Sequence, residues 1–64
     1  MKGRAIMNFP KDPVMLLSVV NTALRDHYTT LYALIDDTGI NEEELKAKLG
    51  SIDYHYDPEK NQFK

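Results

Sequence analysis

Between Leu16 and Tyr28 the apolar positions recur at helical spacing. Leu16, Leu17, Val20, Ala23, Leu24 and Tyr28 share one side of a helical wheel, and Val19 and His27 widen that stripe. Ser18, Thr22, Arg25 and Asp26 fill the remainder, with Val14 and Met15 at or beyond the stripe's edges. Asp12-Pro13 marks the start. The carboxylate can accept from the free N–H groups of a first turn, and proline at the first helical position loses no hydrogen bond. The apolar arc covers about half the wheel, against the ~100° of a minimal surface stripe. Such a helix is either central to the fold or shared with a second copy, and both are expected here.

Leu31, Leu34 and Ile35 repeat the pattern after Thr29 and Thr30, either of which can cap a second helix. Thr38-Gly39-Ile40 predicts its end, because glycine takes the left-handed position and Ile40 can fold back over the last turn. Asn41 and Glu44 then have the spacing of a capping box, with Ile40 and Leu45 as the hydrophobic staple of a third helix. Glu42, Glu43 and Glu44 stand in its first turn and Lys46 and Lys48 further on, the order a helix dipole favours. Leu45, Leu49 and Ile52 form its stripe, and Gly50 is expected to stop it. From Ile52 the period changes: Ile52, Tyr54 and Tyr56 alternate with Asp53 and His55, as in a half-buried strand. Asp57-Pro58-Glu59-Lys60-Asn61 reads as a tight turn with asparagine left-handed at its exit, and Gln62-Phe63-Lys64 as a returning strand. Tyr28, Tyr54, Tyr56 and Phe63 are expected in the core or at its edge. The first seven residues show no periodicity and are expected to be disordered or extended, with Met7 a candidate translation start. Residues 8–64 would then form one small domain.

The whole chain is 64 residues, 42 % of them apolar, which leaves no room for a two-domain enzyme or a barrel. It has no cysteine, so neither a disulfide nor a thiolate zinc site can supplement the core. Eight basic against ten acidic side chains give a net charge of −2, unlike a nucleic-acid coat. No apolar run approaches the ~20 residues of a spanning helix, and none has the flanks of a signal peptide. The expected setting is the cytoplasm, with no membrane contact.

The run Asn8-Phe9-Pro10-Lys11-Asp12-Pro13, followed by Leu16-Leu17-Ser18-Val19-Val20-Asn21, resembles the opening of a family of short bacterial proteins, domain of unknown function 4250. The ending Ile52-Asp53-Tyr54-His55-Tyr56-Asp57 with Asn61-Gln62-Phe63 resembles that family's close. Both ends match in order and spacing, over about Asn8 to Lys64. The chain departs from the pattern at Asp53, where glycine is expected, so the approach to the hairpin is expected to differ. The resemblance implies a bacterial source and carries over no catalytic or binding residue.

Candidate chemistry is sparse. Leu31, Leu34, Gly39, Ile40, Leu45 and Leu49 have the spacing of a helix-turn-helix, and the hairpin behind it completes a winged-helix-like outline. A reading helix, however, would present Asn41, Glu42, Glu43 and Glu44 to phosphates. From Thr29 to Lys64 four lysines face eight carboxylates, a net of −4, and charge opposes shape. Asp53, His55 and Asp57 alternate and could share a strand face as metal ligands, against the plainer reading of a solvated edge. His27 follows Asp26 where a cation would complement the dipole of the first helix. Neither Ser18 nor Ser51 has a base partner by spacing. Asp36-Asp37 before Gly39 fails as a calcium loop, because the closing position falls on Leu45. Tyr32 lies beside the second helix's stripe and, with Met15 and Val19, could belong to an apolar contact surface.

The sequence therefore predicts a mainly α, α+β domain of three helices, the second and third helix-turn-helix-like, closed by a C-terminal β-hairpin. The expected function is a non-enzymatic protein-interaction module that needs no cofactor and self-associates through its first helix. Its contact residues would be Met15, Val19, Tyr32, Glu42, Glu43 and Glu44, the glutamates selecting a basic partner protein. The alternatives are a winged-helix-like DNA-binding transcriptional regulator and, third, a metal-dependent enzyme.

Overall fold

The computed structural model describes residues 9–64, so the expected loose segment Met1–Met7 lies outside the described residues. Helix α1 spans Pro13–Asp26, α2 Leu31–Thr38 and α3 Glu42–Gly50. A two-stranded antiparallel hairpin follows, β1 Tyr56–Asp57 and β2 Gln62–Phe63. The expected three helices and C-terminal hairpin are all present. Each helix begins where the sequence places a cap. Asp12 accepts from the Met15 N–H, Thr30 from Ala33 and Asn41 from Glu44, all at 2.8 to 3.1 Å. Of the two threonines, Thr30 is the cap of α2. The capping box of α3 is half made, since Glu44 pairs with Lys48 at 3.7 Å.

The core consists of Leu16, Val20, Ala23, Leu24, Leu31, Leu34, Leu45, Leu49 and Phe63, each at most 2 % exposed. Helix α1 touches α2, α3 and β2, which accounts for its broad apolar arc: three neighbours need more than one stripe. Leu17, Tyr28, Ile35, Ile40, Ile52 and Tyr56 pack around that core with part of their surface exposed. Val14 and Met15 remain outside it, both about 60 % exposed.

Helix α3 ends at Gly50, as expected, with Ser51 as its cap in right-handed dihedrals. One expectation beyond it is corrected: no strand begins at Ile52. The N–H of Ile52 returns to Leu49 O, that of Asp53 to Gly50 O and that of Tyr54 to Leu49 O. The last carbonyls of α3 thus capture the donors a strand would have used. Asp53 sits at φ 69°, the left-handed conformation. This is the position where the family resemblance led us to expect glycine, and the backbone still makes the turn that glycine would favour. Asp53→Gly is accordingly expected to stabilise the fold by about 0.5–1 kcal/mol, because the left-handed region penalises a Cβ. A thermal melt reads this, and an unchanged or lower midpoint would count against strain at Asp53.

At the other two left-handed positions the expected residues are found. Gly39 ends α2 at φ 75°, with its N–H on Ile35 O, and Asn61 leaves the hairpin turn at φ 53°. Asp57 Oδ1 accepts from the Glu59 N–H at 2.9 Å, which closes the turn around Pro58.

Candidate functional site

Two asparagines fasten the hairpin to α1. Asn21 Nδ2 donates to Phe63 O at 3.0 Å, and the Phe63 N–H donates to Asn21 Oδ1 at 2.8 Å. One side-chain amide so takes the place of a third strand along the outer edge of β2. Asn61 Nδ2 donates to both Leu24 O and Tyr28 O at 2.9 Å, while its Oδ1 accepts from the Tyr56 hydroxyl at 2.7 Å. The same Tyr56 oxygen accepts the Leu31 N–H, a donor in the first turn of α2 that lacks an intrahelical partner. Asn21 and Asn61 both occur in the runs that carry the family resemblance, yet their pairing could not be read there.

The hairpin held in this way forms one wall of a groove of about 360 Å³. Tyr32 from α2 and Lys46 from α3 face Tyr54, His55, Tyr56, Pro58 and Phe63 across it. The Tyr56 and Phe63 rings are 5.6 Å apart and form its inner end. Tyr32 is 63 % exposed, as the sequence suggested. Tyr54, expected at the core edge, is instead exposed, because Asp53's left-handed turn breaks the alternation before it. Register leaves a further feature here. His55 and Lys64 exchange backbone hydrogen bonds, so Tyr56 and Phe63 form a non-hydrogen-bonded pair whose backbone groups point outward. Those of Phe63 are taken by Asn21; those of Tyr56 have no partner among the described residues.

The other expected contact residues are placed separately. Met15 is exposed and Val19 half-buried on α1, and neither lines the tyrosine groove. Glu42 pairs with Lys46 at 2.9 Å, which raises the lysine's pKa above its usual value, chiefly through that hydrogen bond. Glu43 is exposed. With Glu42 and Glu44 both bonded to lysines one turn on, the first turn of α3 is less negative than its sequence suggests.

The alternating set Asp53, His55 and Asp57 is not assembled into a metal site. His55 Nε2 lies 3.6 Å from Asp53, but Asp57 closes the hairpin turn and pairs with Lys64 at 3.7 Å. Among the described residues no group of three His, Cys, Asp or Glu side chains could hold a metal ion. His27 caps α1 by its backbone N–H on Ala23 O, with its ring exposed and edge-on to Tyr28. The Tyr28 hydroxyl donates to Asp37 at 2.7 Å, and this bond, then burial and charge, raises its pKa above the ordinary tyrosine value. The folded state therefore holds that proton more tightly. The stability it contributes is complete below the tyrosine range and fades as pH rises through it. Ser51 donates to Lys48 O, and no helix among the described residues is long and apolar enough to cross a membrane.

Comparison with known proteins gives one finding. Residues 10–63 match a family described as a domain of unknown function, DUF4250. No curated protein and no solved structure matches the chain.

Proposed function

The chain belongs to the DUF4250 family, and from that premise we propose that it is a non-enzymatic protein-interaction module of the bacterial cytoplasm. Its tyrosine groove takes an extended, arginine- or lysine-bearing segment of a partner protein. The observation that carries this reading is the pair of exposed rings, Tyr32 and Tyr54, beside the backbone groups of Tyr56, which have no partner among the described residues. Tyrosine faces attract guanidinium and ammonium groups, and an extended chain alongside Tyr56 can satisfy its N–H and C=O. Charge supports the same partner. Asp53 beside Tyr54 is fully open to solvent, and Lys46 in the groove is paired with Glu42 at 2.9 Å.

A synthetic arginine-rich peptide and its glutamate counterpart, titrated against the protein by amide NMR, test the proposal. The basic peptide is expected to shift Tyr32, Tyr54 and Tyr56, more weakly as salt rises, and Tyr32→Ala or Tyr54→Ala to reduce affinity about tenfold. Equal binding of the acidic peptide, or no shift with either at millimolar concentration, overturns it. Self-association through α1 rests in this fold on Val14 and Met15, exposed beside each other, and sedimentation of the same samples reads it. Binding of duplex DNA in low salt would favour the winged-helix alternative instead.

A further inference from the structure

A second cleft, of about 520 Å³, lies where the polar side of α1 meets the hairpin turn. Its floor is chemically spent, since the Asn21 and Asn61 amides are occupied by backbone groups of β2, α1 and the α1–α2 connection. Its rim is not. Ser18 and Thr22 stand one helical turn apart on α1 and Arg25 continues their stripe, while Lys60 and Gln62 flank Asn61 on the opposite wall. Helical serines and threonines commonly donate back to a carbonyl of the preceding turn. Here neither Ser18 nor Thr22 does, and the Lys60 ammonium and Gln62 amide have no partner among the described residues.

The charges at this rim have one sign. The chain has ten carboxylates, and none lines the cleft. The neighbouring Asp26 is held by Arg25 Nε and Nη2 at 2.9 and 3.0 Å, which lowers the carboxyl's pKa and leaves the other guanidinium nitrogen uncommitted. We propose that the cleft binds a small phosphate-bearing anion. Lys60 supplies charge, and the free guanidinium nitrogen of Arg25 with the Ser18 and Thr22 hydroxyls supplies orienting hydrogen bonds. The volume falls within the roughly 300–1,000 Å³ of small-ligand sites. Because Asn21 and Asn61 already fix one wall to the other, binding orders side chains and not backbone.

Inorganic pyrophosphate, titrated in low salt and followed by amide NMR, is the test. Shifts are expected to centre on Ser18, Thr22, Arg25, Lys60 and Gln62, with Lys60→Gln weakening binding about tenfold or more. Both Lys64→Gln, a cation outside the cleft, and Tyr32→Ala, in the other groove, are expected to leave the affinity unchanged. Since Lys60 is exposed, its variant keeps the parent's circular dichroism. Shifts spread over all the lysines, an affinity indifferent to Lys60→Gln, or no response at millimolar pyrophosphate would each overturn the assignment.

Discussion

Replacing Asn61 by alanine is expected to destabilise the protein by about 4 kcal/mol, read as a shift of the urea unfolding midpoint at unchanged slope. The substitution removes both donors, to Leu24 O and Tyr28 O, and the acceptor of the Tyr56 hydroxyl. Each such bond is worth about 1 kcal/mol net when its partners are left without a replacement. It also places a Cβ without a compensating amide at φ 53°, which adds about 1 kcal/mol. Asn61→Gly separates the two contributions, because it loses the bonds and keeps the conformation, and should recover about that last 1 kcal/mol. Asn61→Asp keeps the acceptor but sets a carboxylate against two carbonyl oxygens, so it is expected to be no better than alanine. A domain of this size rarely has more than about 3–5 kcal/mol in reserve. A curve for Asn61→Ala that overlays the parent's would show that the clasp is ornamental.

The difference between what the residues announced and what they concealed is one of range. Asp12, Thr30 and Asn41 could be read as caps because each acts on an N–H three residues ahead. Gly39 and Asn61 could be read as left-handed because that is a property of the residue itself. Asn21 and Phe63 are 42 positions apart, and Asn61 reaches back 37 and 33 positions, distances over which spacing in a sequence says nothing. The misread strand failed for a different reason. The alternation from Ile52 to Tyr56 is real, but the unsatisfied carbonyls of α3 compete for the same N–H groups and are nearer.

That competition also decided how much of each site could be foreseen. Tyr32 stood out as an aromatic residue off its helix's stripe. Tyr54 did not, because its exposure follows from the turn at Asp53 and not from its own pattern. The polar cleft was hidden in plain view: Ser18, Thr22 and Arg25 looked like a solvated helix face, and Lys60 like a turn residue. Only the placement of the hairpin over α1 makes them neighbours. Both candidate sites therefore share one wall, and both depend on what holds that wall in place.

Phe63→Ala tests that dependence, with an expected loss of about 3–5 kcal/mol, enough to leave the chain largely unfolded at room temperature. Phe63 is the one core residue the hairpin contributes, 2 % exposed among the leucines of the three helices and against the Tyr56 ring. Phe63→Leu keeps most of the apolar volume and should cost no more than about 1.5 kcal/mol, so it serves as the folded comparison. Neither change removes the groups of the backbone clasp at Asn21, because it is made by the main chain of residue 63, so any loss is due to packing. If packing governs, circular dichroism and urea titration will separate alanine sharply from leucine, and only the leucine variant will retain both peptide and pyrophosphate binding. If alanine instead keeps the parent's helicity and midpoint, the helices form a core without the hairpin. The two clefts would then be built on an appendage that is not anchored by that core.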